Sequence, residues 1–510
     1  MSDALPTPAE MAVWDRETIR LGLAGSVLME NAARELLHVL RQRFAPLREK
    51  RILLLMGGGN NGGDAACLAR HLLDEGARPL VIHTRPLGAA RGDAGRYLRL
   101  ARRCGVPFLP VRRWLHTFRQ TVPDLLVDGL LGTGFGGALR PLELSCVRAV
   151  NELAAKTPVV AIDIPSGLSG LTGLPGPEAV RAALTVTFEA AKPGLVLPQA
   201  TPFVGELLVR DIGIPRCVRA AFPPSFMRLT PDDVRVLPDP AHYTHKGKAG
   251  HVLIVGGCAR YAGAPQLAAR GAARAGAGLI TLAAPEQALA RMGDDPTLMR
   301  LALPGGVWSP AQLDDLTPAV RRSSALVIGP GMGRDPGVSA LLDALLALPD
   351  RPHAVIDADG LVSLSSSALA RLRPTDVLTP HPGEAAQKLD CDTAAVQQDR
   401  VGAVRALMER SPAIWVLKGA GTLIASAGKP IYVSGWDEPN LAVGGSGDVL
   451  AGCVGALIAQ GVDPCKAACA AVCLHAMAGH FLRDAFARRG NTAVDIADQI
   501  PKALACSQTL

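Results

Sequence analysis

Residues 440–452, NLAVGGSGDVLAG, place a carboxylate among small residues where a loop runs into an apolar helix. Gly444, Gly445 and Gly447 let the backbone approach a ligand closely and take positive φ where needed. The amides of Gly445, Ser446, Gly447 and Asp448 stand at the helix N-terminus, where the dipole favours an anion. A carboxylate beside such an anion hole is unfavourable, unless it handles a proton while the amides hold a phosphate. Phosphoryl transfer needs that arrangement: a base for the attacking hydroxyl and donors for the developing charge. An ordinary glycine-rich helix start with an acidic first turn reads the same way.

A second group of reactive residues lies in the first half. Residues 51–56 (RILLLM) form an apolar run that reads as a buried parallel strand, and GGGNNGGD (57–64) follows at once. Strand, glycine-rich loop and helix in that order suit a nucleotide or phosphate site at the carboxyl end of a sheet. Asn60, Asn61 and Asp64 offer oxygens that suit a hard cation, a ribose or an amide. Residues 125–129 end in Asp128 and a flexible loop, and residues 158–164 contain Asp163 and lead into PSGLSG. Asn61, Asp128 and Asp163 thus fall at the carboxyl ends of three strands of one doubly wound sheet. Singly, each reads as a turn residue or cap; together, beside glycine-rich loops, they read as a site.

The elements that must position these residues alternate strand and helix. Residues 8–43 read as helical, opened by Pro8. Residues 78–83 supply a further strand. Residues 213–240 gather prolines and read as a connection between domains. THKGKAGHVLIVGG (244–257) restarts the pattern with a basic turn and a strand, and an Ala- and Gly-rich helix (263–278) suits very close packing. Further strands are expected at 279–283, 325–328, 353–359, 377–379 and 414–418, each ending in a Gly-rich or polar loop.

A chain of 510 residues, 48% hydrophobic and 19% charged, is globular with roughly two to four domains. Its net charge of +7 has no Lys/Arg block, and only 4% of residues are aromatic. Nucleic acid is therefore not an expected partner. No basic-then-apolar leader opens the chain, and no run of about 18 apolar residues is expected to span a membrane. The 11 scattered cysteines suggest reduced thiols and a cytoplasmic location. Cys465, Cys469 and Cys473, with His475 nearby, could ligate a metal, although a buried face of small residues is the expected reading.

LMENAA (28–33), GGGNNGGD (57–64), VDGLLGTG (127–134), AIDIPSGL (161–168) and TFEAAKPGL (187–195) resemble the NAD(P)H-hydrate epimerase family over roughly residues 8–215. The resemblance implies a Rossmann-like domain that interconverts the R and S epimers of hydrated NADH or NADPH. It implies a potassium ion held by Asn61, Asp128 and Ser166. It places the hydrate along Asn60, Asn61, Gly62, Gly63 and Asp64, along Gly132, Thr133, Gly134, Phe135, Gly136, Gly137 and Ala138, and at Asp163. Epimerising a carbon that carries nitrogen and hydroxyl needs an acid–base group. Asp163 is the expected one, with Lys192, one of ten lysines, as partner. Ala65 departs from the family pattern, which has glycine there, and brings a Cβ close to the ligand.

GGxxxYxGA (256–264), GPGMG (329–333), DADGL (357–361), TPHPGE (379–384), KGAGT (418–422) and GGSGD (444–448) resemble the ADP/ATP-dependent NAD(P)H-hydrate dehydratase family, which is ribokinase-like, over roughly 230–505. The resemblance implies hydrate contacts at Ala264, Gly331, His381 and Asp448. It implies adenine-nucleotide contacts at Lys418, Gly419, Ala420, Gly421, Thr422 and Gly447, with Mg²⁺ accompanying ADP or ATP. The expected architecture is thus two doubly wound α/β domains: a Rossmann-like three-layer domain over 1–222 and a ribokinase-like three-layer domain over 223–510. The expected function is repair of hydrated NAD(P)H: epimerisation, then dehydration of the S form through a phosphorylated intermediate, with Asp448 as base. The expected state is a homo-oligomer. The alternative is a ribokinase-like kinase for a vitamin precursor, fused to a nucleotide-binding domain.

Overall fold

A computed structural model describes residues 3–237 and 246–509. The chain divides into two compact units, Ala4–Phe226 and Met227–Leu510, the second taking in Asp3.

In the first unit the strands are β1 (Arg51–Met56), β2 (Arg78–His83), β3 (Phe108–Pro110), β4 (Leu125–Gly129), β5 (Val159–Ile162), β6 (Leu184–Phe188) and β7 (Glu206–Arg210), in the order β3-β2-β1-β4-β5-β6-β7. All pairings are parallel. The chain winds outward from β1 to β3 and then returns to pair β4 with β1, setting Met56 against Gly129. At that reversal the following loops part, which opens a crevice at the carboxyl ends. Alternate residues face two apolar layers: Leu54 and Val127 one, Leu53, Leu55 and Leu126 the other.

The single helical stretch expected over 8–43 is two helices, α1 (Pro8–Arg20) and α2 (Gly25–Phe44). Gly22 at φ +110° takes a conformation that side chains rarely adopt, so the first helix stops there. Thr7 and Glu10 cap α1 reciprocally. The GGGNNGGD segment is mostly helix: α3 (Asn60–Asp74) begins at Asn60. Gly62 and Gly63 serve close packing there, because a Cβ would lie 2.2 Å from Gly57 O and 2.7 Å from Met29 Cε respectively. The Ala65 methyl is buried beneath Gly129, away from the crevice, so the departure from glycine brings no Cβ to the ligand side.

In the second unit the strands are β8 (His251–Val255), β9 (Leu279–Pro285), β10 (Met299–Leu303), β11 (Ala325–Ile328), β12 (His353–Ile356), β13 (Val377–Leu378), β14 (Ile414–Leu417), β15 (Leu423–Ala425) and β16 (Ile431–Ser434). Their order is β16-β15-β14-β13-β12-β11-β8-β9-β10, followed beyond β16 by Phe226–Leu229. The strands β8 to β14 pair in parallel, whereas β15 and β16 add antiparallel, a departure from the expected uniform alternation. The expected connection over 213–240 contains a helix, Arg216–Ala221, and the strand Phe226–Leu229; its last three residues, like Thr244 and His245 of the expected basic turn, lie outside the described residues.

Four helices matter to the site: α4 (Gly263–Arg274), α5 (Pro382–Leu389), α6 (Ser446–Ala459) and α7 (Pro464–Phe481). α4 and α6 touch backbone to backbone. A Cβ on Gly271 would lie 2.3 Å from Val449 O, and one on Gly452 1.9 Å from Ala268 O. The stretch Pro464–Phe486, containing α7, is long and apolar enough by mean hydropathy, 1.3, to cross a membrane, although Lys466, His475 and His480 interrupt it. Its apolar window is 83% buried within the unit, as a core helix would be. Cys465, Cys469 and Cys473 belong to that core.

Gly452→Ala is expected to destabilise the second unit by about 1–3 kcal/mol, the usual cost of overpacking. A fall in its urea midpoint would show this, and an unchanged midpoint would contradict the close contact.

Candidate active sites

The crevice of the first unit is a cavity of about 780 Å³. Asn60, Asn61, Asp64, Gly132, Thr133, Gly134, Phe135, Asp163 and Lys192 line it. Gly62, Gly63, Gly136, Gly137, Ala138, Asp128 and Ser166 stand outside its lining.

Asp163 follows β5 at φ +63°, a strained conformation for a residue with a side chain. The structure holds it there with buried Lys192, whose Nζ donates to Asp163 Oδ1 at 2.6 Å, to Thr187 Oγ1 at 2.9 Å and to the Phe188 carbonyl at 3.2 Å. Thr187 Oγ1 also donates to Oδ1, at 2.9 Å. Every donor to Asp163 thus meets one oxygen, and among the described residues Oδ2 takes none. Burial, then the charges of Asp163 and Asp15, push Asp64 well above the usual carboxylate range.

Below the cavity Asp128 is fully buried. It accepts from Ser166 N at 2.8 Å, Ser166 Oγ at 2.7 Å and Leu130 N at 3.2 Å, yet burial still raises its pKa. Asn61 Nδ2 donates to Leu131 O at 2.6 Å, while its Oδ1 is buried without a partner.

Sequence reasoning missed Asp15. With Met11 and Ile19 it forms an i, i+4, i+8 row along α1 that lines the cavity. An acid in an otherwise apolar row was the available signal.

In the second unit Gly445 caps α6 at φ +87° and starts the glycine-rich turn; a Cβ on Gly447 would stand a tight 3.1 Å from Lys418 Nζ. Lys418 Nζ donates to buried Asp357 Oδ1 at 2.6 Å, which Thr379 Oγ1 also reaches at 2.8 Å. Asp448 feels this pair and the further carboxyls Glu384 and Asp359. Burial, then the Asp357 charge, push Asp448 up to about 8. Glu384 is raised to about 7, again chiefly by burial. His381 caps α5: its Nδ1 accepts from Gly383 N at 3.0 Å, and Glu384 accepts from its backbone N–H. Burial keeps it below its usual pKa, so near neutral pH the ring acts as an acceptor. Gly331 lies against Ala264, with 3.1 Å between a Cβ on the glycine and the alanine methyl.

Arg400, also missed, lies buried under the KGAGT loop and donates to the carbonyls of Leu417, Lys418 and Gly421. It holds Gly419 and Gly421 in their positive-φ turn, and Thr422 Oγ1 closes it onto Gly419 O at 2.9 Å. No sequence signal marks a lone arginine so far from the loop. His475 stays with none of the cysteines as a ligand partner: its Nε2 is 3.1 Å from Ser446 Oγ, steadying the start of α6. Glu30, Cys67 and His71 also converge, but Arg70 already supplies the positive charge there and burial raises the Cys67 thiol.

Residues 252–502 match the family model for NAD(P)H-hydrate dehydratase, and residues 25–194 the model for the YjeF-related protein N-terminus. The bifunctional NAD(P)H-hydrate repair enzyme Nnr of Moorella thermoacetica is 36% identical over 98% of this chain and 96% of its own. That of Coxiella burnetii is 35% identical over 94% and 95%. The chain belongs to the bifunctional NAD(P)H-hydrate repair enzymes. Among solved structures, the ADP/ATP-dependent NAD(P)H-hydrate dehydratase of Bacillus subtilis, co-crystallised with ATP/Mg²⁺, covers 55% of this chain and 97% of its own at 24% identity and a TM-score of 0.46. Within the family's two matched segments fall the two carboxylate–lysine centres described above, Asp163 with Lys192 and Asp357 with Lys418.

Lys192→Met leaves Asp163 half-buried without its cation and is expected to cost the first unit about 3–5 kcal/mol. Chemical denaturation of the purified protein reads this, and a loss below about 1 kcal/mol would show that Asp163 does not depend on the pair.

Proposed function

We propose that this chain repairs NADH and NADPH that have taken up water, the first unit epimerising the R and S hydrates and the second dehydrating the S form at the expense of ADP or ATP. The observation that carries the reading is near-full-length similarity to the bifunctional repair enzymes, in a chain whose α6 sets Asp448 beside the Lys418–Asp357 pair.

In the second unit the hydrate lies between Ala264, Gly331 and His381, and the nucleotide along Lys418, Gly419, Ala420, Gly421, Thr422 and Gly447. Asp448 removes the proton of the hydrate's hydroxyl, which attacks the terminal phosphorus. The amides of Gly445 and Gly447 receive the charge that develops, whereas the Ser446 amide is already given to the Val443 carbonyl at 3.3 Å. The ring-nitrogen lone pair then expels phosphate and restores the dihydropyridine. Three carboxyls, Asp357, Glu384 and Asp448, share the charge of Lys418, and Asp359, paired with Arg334, adds to the negative charge felt by Asp448; burial first, and these like charges after it, raise Glu384 and Asp448. Hard oxygens in excess fit Mg²⁺, which these residues and the nucleotide would hold; when bound it neutralises phosphate oxygens.

In the first unit Asn60, Asn61, Asp64, Gly132, Thr133, Gly134 and Phe135 would position the hydrate, with Gly62, Gly63, Gly136, Gly137 and Ala138 shaping the backbone around it. The unpartnered Asn61 Oδ1 and the under-compensated Asp128 carboxylate fit a potassium ion, held with Ser166. It would supply positive charge under the loop that carries the substrate. Action in the cytoplasm and assembly into a homo-oligomer belong to the same proposal, the latter checked by sedimentation.

The test is recovery of dihydronicotinamide absorbance from an equilibrated R/S hydrate of NADH with Mg²⁺, K⁺ and ADP or ATP. Complete recovery at an enzyme-limited rate supports both activities. A stable phosphoester as product would favour a small-molecule kinase instead.

Asp448→Asn is expected to abolish dehydration while epimerisation persists; near-normal dehydration would refute the base assignment. Because the base must be ionised and its pKa is raised to about 8, kcat/KM for dehydration should climb with pH up to about 8 and level above it. Asn61→Ala is expected to slow epimerisation and remove its response to potassium. If wild-type epimerisation is indifferent to potassium, the ion has no role.

A further inference from the structure

We propose that Asp15 is a catalytic acid–base residue of the first unit, exchanging its proton with the hydroxyl on the carbon that is epimerised. This rests on the epimerase reading of the cavity and assigns within it a group outside the glycine-rich loops.

The placement carries the argument. Asp15 stands in the middle of the α1 row whose neighbours one turn away, Met11 and Ile19, line the same cavity as Asp163 and Lys192. The preceding residue, Trp14, is fully buried, and its Nε1 donates to Phe222 O at 2.8 Å, so the helix cannot turn Asp15 away from the cavity. Among the described residues no donor pairs with the Asp15 carboxyl, whereas Asp163 is held by Lys192, Thr187 and the Phe188 amide. A largely buried carboxyl facing a cavity with no protein partner is free for a ligand.

The charged groups facing it are Lys192, Asp163 and Glu189, with Asp64 influenced from α3 and Asp93 on the same wall. Burial raises Asp15 to about 6; Lys192 lowers it in part, and Asp163 and Glu189 raise it. Both protonation states are therefore populated near neutral pH, as suits a group that gives a proton in one direction and takes it in the other.

The Asp15 carboxylic acid gives its proton to the hydroxyl, the C–O bond breaks, and water leaves. The ring-nitrogen lone pair forms the C=N bond. Water adds to the opposite face of that carbon, the C=N pair returns to nitrogen, and the water's surplus proton passes to Asp163, whose Oδ2 is free of protein donors. Solvent then returns the proton from Asp163 to Asp15. The reverse direction uses the same steps.

The experiment follows interconversion of R and S hydrates of NADH by chromatography, in the full-length protein without nucleotide, with the uncatalysed rate subtracted. Wild-type kcat/KM is expected to fall above about pH 6, as the acid ionises. Asp15→Asn should lower it at least about 100-fold and remove that limb, and Asp15→Glu should restore a measurable part with the limb present. Retention of activity within about threefold by Asp15→Asn, or a wild-type profile flat between pH 5 and 8 (roughly the range in which a carboxyl so placed titrates), overturns the proposal. The wild-type profile decides even if the asparagine variant fails to fold. Wild-type protein that does not epimerise at all overturns the underlying reading instead, so the two failures are told apart.

Discussion

In each unit one lysine ammonium answers several carboxyl groups. Lys192 holds Asp163 at 2.6 Å with Asp15 and Asp64 nearby, and Lys418 holds Asp357 at 2.6 Å with Asp359, Glu384 and Asp448 nearby. Charges taken out of water must be paired or neutralised. Burial, with like charges beside it, shifts Asp15, Asp64, Glu384 and Asp448 upward and makes them able to carry protons. The backbone is arranged to sustain this imbalance: a left-handed aspartate at the end of β5 in one unit, and a glycine that clears space for the lysine in the other. The carboxyl ends of parallel strands suit the purpose, because loops diverge there without disturbing the paired sheet.

Much of this frame was legible from residue order. Apolar runs of three to five residues that end at or near a glycine mark β1, β4, β8 and β11, because a strand covered on both faces leaves an apolar signature without alternation. The edge strands were not legible. β3 and β7 are short or half-exposed; the interior strands β15 and β16 were not legible either, because they follow the KGAGT loop so closely that no helix separates them. The site was readable where glycine and asparagine cluster. It was unreadable at Asp15 and Arg400, whose significance lies in what the fold brings near them rather than in their sequence neighbours.

The contact between α4 and α6 shows how glycine serves two purposes. In the turn before α6, Gly445 supplies a left-handed conformation. Along the helices, Gly271 and Gly452 supply nothing but absence, letting the two backbones meet. The first turn of α6 is thereby fixed against a second helix, and His475 steadies Ser446 from a third. A helix N-terminus anchored at three points needs little rearrangement to receive charge.

The raised carboxyls of the second unit carry a consequence for calorimetry. Asp448 at about 8 and Glu384 at about 7 are partly protonated in a neutral solution. Mg²⁺ bound among them would favour their ionised forms, so its binding would discharge protons into the medium. The heat measured on binding then contains the ionisation enthalpy of whichever buffer collects those protons. Titrations in phosphate and in Tris would differ, and the difference counts the protons displaced.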